Sequence, residues 1–181
     1  MRRICVYCGA RHGRPDAYVD VARDVARAIV ARGDGIVYGG GRVGMMGALA
    51  DAALKAGGEV IGVIPEALAT AEVAHSGLTQ LHLVDSMHAR KALLTQLSDA
   101  FIALPGGIGT MDELFEALTW RQLGIHSKPV GILNHDGYYD PLVVLFDRMF
   151  EEGLLPPSTR EFIVIERSID TLLDALLPRT N

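Results

Sequence analysis

Short apolar runs alternate with amphipathic stretches along the whole chain, and that alternation limits the fold more than any single motif. The apolar runs are "RRICVYCG", "GIVYGGG", "EVIGVIP", "TQLHLV", "AFIALPGG", "KPVGILN" and "FIVIER". Between them lie helical patterns: "PDAYVDVARDVARAIVARG", with a Pro-Asp start and a Gly stop, "GMMGALADAALKAGG", "SMHARKALLTQLS", "GTMDELFEALTWRQLG", "YYDPLVVLFDRMFEEG" and "SIDTLLDALL". The stretch from Glu66 to Leu78 reads as a loop with a short helix. Several strands are continuously apolar, as strands covered on both faces must be. The expected fold is α/β: a Rossmann-like, doubly wound parallel sheet of about seven strands with helices on both faces. In such sheets ligands gather beyond the carboxyl ends of the strands, near the reversal of strand order. The glycine clusters "YGGG" and "LPGG" and the segment "VDSMHARK" all fall at strand ends of that kind.

Bulk properties set the remaining limits. A chain of 181 residues suits one domain, 1–181, with a full core. No apolar run reaches the ~18 residues of a membrane span, and the apolar stretch in "MRRICVYCGARHG" is too short for a signal peptide. A cytoplasmic location is expected. The net charge is −5 with scattered bases, so no nucleic-acid surface is expected. A small anionic ligand stays open, because its site needs only a few local donors. Cys5 and Cys8 read as small core thiols facing opposite sides of a strand, and no second Cys pair completes a zinc site.

Two glycine loops carry the first chemical signal. Gly39-x-Gly41-x-x-Gly44 has the spacing of the dinucleotide fingerprint. Dinucleotide-binding enzymes usually carry it after the first strand, with an acid at the end of the next; here it follows the second strand, and the next strand ends in Ile64-Pro65-Glu66. The remaining readings are close backbone approach to a phosphate, at Gly40, Gly41 and Gly44, or a packed turn. "LPGGIGT" offers the same physics more strongly. Glycines at 106, 107 and 109 clear the space before a helix start, and Thr110 adds a hydroxyl that can cap it. No Gly-Lys-Ser/Thr follows, so this is not a Walker A loop. Asp112 and Glu113 read either as favourable charge near a helix start or as groups facing a sugar. Helical spacing predicts Glu113 and Glu116 on one face and Asp112 on another.

"DSMHARK" is the second signal: Asp85, His88, Arg90 and Lys91 within seven residues, with Ser86 as a helix N-cap. One of only three lysines (Lys55, Lys91, Lys128) stands here beside an arginine. A solvated helix face would explain the cluster, and so would an anion or carboxylate partner.

Taken together, "PGGIGTMDE", "SMHARK" and "GGGRVGMMG" resemble the three signature elements of the LOG ("Lonely Guy") family, formerly labelled lysine decarboxylase-like. "TWRQLGIHSKPVGILNHDGYYDPL" is similar to the family's downstream segment. The resemblance implies a Rossmann-like homodimer that hydrolyses the N-glycosidic bond of nucleoside 5′-monophosphates, AMP and N6-prenylated AMP. The products are the free base (adenine or an active cytokinin) and ribose 5-phosphate. It implies Arg90 and Glu113 as the catalytic pair. The implied substrate contacts are Glu72, Lys91, Gly106, Gly107, Ile108, Gly109, Thr110, Met111, Asp112 and Thr119. Met87 joins Gly40, Gly41 and Gly44 as a possible further contact. No cofactor and no metal are implied. The former label would instead need pyridoxal phosphate on a lysine, for which Lys91 is the one plausible candidate. A non-catalytic nucleotide carrier of the same fold would keep the glycine loops without needing the Arg90 and Glu113 pair.

Overall fold

The computed structural model describes residues 1–14, 17–69 and 73–178. Seven strands form one parallel sheet: β1 (Arg3–Tyr7), β2 (Gly35–Tyr38), β3 (Val60–Pro65), β4 (Gln80–Val84), β5 (Ala100–Ala103), β6 (Val130–Leu133) and β7 (Ile163–Glu166). Their spatial order is β4-β3-β2-β1-β5-β6-β7, and every pairing is parallel. The helices are α1 (Ala17–Ala31), α2 (Gly44–Lys55), α3 (Met87–Leu97), α4 (Ile108–Gln122), α5 (Asp140–Glu151) and α6 (Ile169–Leu176). The α/β alternation expected from the sequence is therefore present strand for strand. The start of α1 was expected at Pro15-Asp16, which lies outside the described residues. No described helix is long and apolar enough to cross a membrane.

Period-two alternation splits the core into two layers. Ile4, Val6 and Cys8 face one side with Val25 and Ile29 of α1, Leu49 of α2 and Leu172 of α6. Cys5 and Tyr7 face the other with Leu94 of α3, Leu114 of α4 and Phe146 of α5. The two thiols thus sit on opposite faces, both buried and free. Burial pushes the Cys5 thiol up to about 12 and raises Cys8 as well, so neither is a ready thiolate. Helix α6 lies close on β6: a Cβ at Gly131 would meet Leu176 Cδ1 at 2.7 Å.

The sheet order reverses between β1 and β5. From β1 the chain winds outward through β2, β3 and β4; it then returns to β5 and winds the other way. The loops leaving β1 and β5 diverge on opposite faces, and a crevice opens between them. One hydrogen bond, Gly9 N to Pro105 O at 3.3 Å, ties those two loops at its floor.

Candidate active site

A cavity of about 450 Å³ occupies that crevice. Its walls come from five stretches of the chain. The loop after β1 contributes Cys8 to Arg11 and Gly13; α1 and α2 contribute Tyr18, Met45 and Met46; α3 contributes Arg90; and the segment from Pro105 into α4 contributes Gly106, Gly107, Gly109, Thr110 and Glu113. Tyr138, just before α5, closes one edge.

Arg90 and Glu113 meet there. Arg90 Nη1 lies 2.7 Å from Glu113 Oε1, and both side chains are about nine-tenths buried. Arg90 is reached because Ser86 caps α3: its hydroxyl accepts from Ala89 N at 3.1 Å, as the sequence predicts. The guanidinium is held from a second side by Nε donating to Val63 O within β3, 3.1 Å away. Its remaining end lies against Gly39, where an added Cβ would stand 2.2 Å from Arg90 Nη2. Gly39 is thus the seat of the arginine. Burial lifts the Glu113 carboxyl above its ordinary range, and the Arg90 charge pulls it partly back.

The start of α4 supplies donors. Gly107 is the N-cap, and Met111 N donates to its carbonyl at 3.1 Å. The N–H groups of Gly107, Ile108, Gly109 and Thr110 reach no acceptor among the described residues. Thr110 does not cap the helix, contrary to expectation: it is already inside the first turn, and no side-chain cap is present. It is buried and packs over Gly106, where a Cβ would meet Thr110 Oγ1 at 2.1 Å. Gly106 is required for that close approach.

The acids of α4 divide differently from the helical spacing argument. Glu113 turns alone to the cavity. Asp112 and Glu116, one turn apart, turn together to Lys91, at 3.2 Å and 2.8 Å from Nζ. Both raise the Lys91 pKa, the opposite of what a Schiff-base lysine needs. Lys91 therefore has no feature of a pyridoxal site.

Not every expected contact reaches the cavity. Ile108, Met111, Asp112 and Thr119 line a second, open groove of about 440 Å³ with Phe115, Glu116 and Trp120. Met87 is exposed on the surface. Gly40 and Gly41 shape a turn instead: Gly40 has φ +75° and packs against Ile64 and Val63, and Tyr38 Oη donates to Gly41 O at 3.0 Å. Gly44, at φ +63°, lies against the backbone of Ala10, where a Cβ would be 2.4 Å from the carbonyl carbon. Glu72 lies outside the described residues. The segment just after it is tied to the glycine turn by Arg42 N to Val73 O at 2.8 Å and His75 N to Gly40 O at 3.0 Å.

Sequence reasoning missed Tyr18, Met45, Met46 and Tyr138, and also the loop Cys8 to Arg11. The loop carries no motif of its own, and it is the strand order that sets it opposite the loop after β5. The two tyrosines carry no local signal, because they come from α1 and the α5 entrance, far apart in the chain.

Fold and site together define a Rossmann-like protein with a switch-point cavity and a buried arginine–carboxylate pair. Residues 46–176 match the family model described as possible lysine decarboxylase. The chain is 49% identical over 175 residues to a probable cytokinin riboside 5′-monophosphate phosphoribohydrolase of Oryza sativa subsp. japonica, covering 97% of this chain and 83% of that one. A cytokinin riboside 5′-monophosphate phosphoribohydrolase of Rhodococcoides fascians is 48% identical over 176 residues, 97% and 89% of the two chains. The chain belongs to this LOG family of phosphoribohydrolases. Its fold is also that of the molybdenum cofactor carrier protein of Chlamydomonas reinhardtii, with TM-score 0.74 at 19% identity over 98% of this chain and 99% of that one.

Proposed function

We propose that the protein hydrolyses the N-glycosidic bond of nucleoside 5′-monophosphates, with AMP and N6-prenylated AMP as substrates. The products are the free base and ribose 5-phosphate. The observation that carries this reading is the buried Arg90–Glu113 pair, 2.7 Å apart, in a cavity that also holds the glycine-rich start of α4.

The chemistry follows from the charges. As the bond between C1′ and the base nitrogen lengthens, positive charge grows on the ribose. Glu113, as carboxylate, stabilises that charge and orients water toward C1′. The water oxygen bonds to C1′, the bonding pair leaves with the base, and the base takes up one proton. The 5′-phosphate rests on the free N–H groups at the start of α4, so its binding energy fixes the ribose. Arg90 keeps Glu113 in place and ionised against its burial. The reaction calls for neither metal nor organic cofactor.

The test is incubation with AMP and with N6-isopentenyl-AMP while free base is measured. Base release is expected, with Glu113→Gln and Arg90→Ala reduced at least ~100-fold. AMP binding without turnover would point instead to a nucleotide carrier, which has no use for a buried Arg–Glu pair. The working unit is a homodimer, a reading supported by the apolar surface of α4 and its exit: Ile108, Leu123 and Ile125 are all exposed. A light-scattering mass near one chain, 19.5 kDa, would contradict it.

A further inference from the structure

Two consecutive tyrosines at the entrance to α5 reach back to the loop that opens α4. Tyr139 Oη donates to Leu104 O at 2.6 Å, and Tyr138 Oη donates to Gly106 O at 2.5 Å. They are aimed by the turn before them, where Asp136 and Gly137 both take positive φ, 49° and 73°. Tyr138 is further steadied by edge contacts with Tyr18 and Tyr139, at 5.7 Å and 4.9 Å between ring centres.

The two bonds look alike and differ in consequence. The carbonyl of Leu104 belongs to the peptide unit joined to Pro105, which has no N–H. Fixing it orients no donor. The carbonyl of Gly106 belongs to the peptide unit that carries the Gly107 N–H. A trans peptide is planar, so C=O and N–H point opposite ways; fixing one aims the other. Gly106 and Gly107 both lack a Cβ, and a Gly–Gly peptide turns over at little steric cost. Turned over, it would present a carbonyl in place of a donor at the start of α4.

We propose that Tyr138 is a positioning residue for the hydrolysis: its hydroxyl locks the Gly106–Gly107 peptide so that the Gly107 N–H serves the substrate phosphate. The inference rests on the reading of the α4 start as the phosphate seat. It makes the α5 entrance part of substrate recognition without any contact of its own to the reacting atoms.

The experiment compares Tyr138→Phe with Tyr139→Phe in the intact protein. The first keeps the ring and its packing at a half-exposed position, so the variant folds. Inorganic phosphate is titrated into ¹⁵N-labelled protein while the Gly107 amide is followed, and the KM for AMP is measured beside it. In wild type, phosphate shifts the Gly107 amide. Tyr138→Phe is expected to leave that amide unmoved, to weaken phosphate about tenfold, the scale of one hydrogen bond to a charged group, and to raise KM for AMP. Tyr139→Phe is expected to lower the melting temperature and keep phosphate affinity within about twofold, since the carbonyl it frees carries no donor. If Tyr138→Phe weakens phosphate while Gly107 still responds, the hydroxyl touches the ligand directly and the inference is overturned. Equal phosphate loss in both variants also overturns it. Base release from AMP with an unaltered Tyr138→Phe sinks this inference alone; a wild type that neither binds phosphate nor releases base removes the proposed function with it.

Discussion

Glu113 is ionisable, buried and paired, and its environment sets the pH dependence. Because burial raises its pKa, the carboxylate on which the proposed mechanism relies disappears as pH falls through that raised value. The acid limb of the pH–rate profile is therefore expected above the ordinary carboxylate range, and an acid limb at or below that range would contradict the assignment. Linkage gives the matching stability effect. A raised acid favours the folded state below its unfolded pKa and loses that contribution as pH rises through the folded value. Melting curves of Glu113→Gln against wild type should show the variant gaining relative stability as pH rises. Gly39→Ala probes the same pair from outside. The added methyl occupies the place of Arg90 Nη2, so the guanidinium must leave. Turnover is expected to fall ~10-fold or more, and the acid limb to move further up as the opposing charge withdraws. An unchanged profile would mean that the arginine has another way to lie. Of these residues, Arg90 and Glu113 were legible in the sequence because each sits in a short motif. Gly39 was legible only as one of a glycine run; what it makes room for is set by α3, about fifty residues later.

Elements were legible wherever periodicity was strong, and their ends wherever a cap was chemical. Ser86 before α3 is such a cap. The start of α4 was less legible. Thr110 is a good capping residue by type, yet Gly107 takes the position, since its φ of −92° and ψ of −157° turn the chain into the helix beside Pro105. The i,i+3 pairing of Glu113 and Glu116 also failed, because α4 is gripped on two sides. Arg90 and Lys91 are adjacent on α3 and point apart, and each draws its own acid. The start of α2 yields a prediction at this scale. Gly44 combines positive φ with a backbone neighbour at 2.4 Å, so Gly44→Ala must both strain its own dihedrals and displace the loop after β1. A loss of at least ~2 kcal/mol is expected, roughly 4–8 °C in melting temperature for a chain of this size. A melting temperature within a degree of wild type would mean the two loops are softer than their contact implies. On the opposite sheet end, Leu172→Ala on α6 should cost ~2–5 kcal/mol by leaving a cavity over β6, checked by chemical denaturation.

At the scale of the whole molecule, the class of fold was legible and the strand order was not. Alternation dictates a parallel sheet with crossovers, but several orders satisfy it. The order fixes which loops face each other, and so it decides that residues after β1 line the cavity with residues after β5. That is why Cys8 to Arg11 escaped a reading based on motifs, while the glycines at 106 and 107 did not.

The same order has a consequence in time. Of the seven strands, β1 is the first to be made and stands at the centre of the finished sheet, with Ile4 beside Ala100 and Arg3 N bonded to Asp99 Oδ2 across 96 positions of sequence. Until β5 is made, the most deeply placed strand of the protein is a bare edge, with its row of N–H and C=O groups open to any other chain. Closing so long a loop is slow compared with local structure. A chain ended at Asp99 should carry helical signal yet associate, with growing light scattering, whereas the full chain stays clear. Nascent chains are thus most exposed to aggregation between the making of β1 and that of β5, and the strand whose exit loop later walls the cavity is the one in need of shelter.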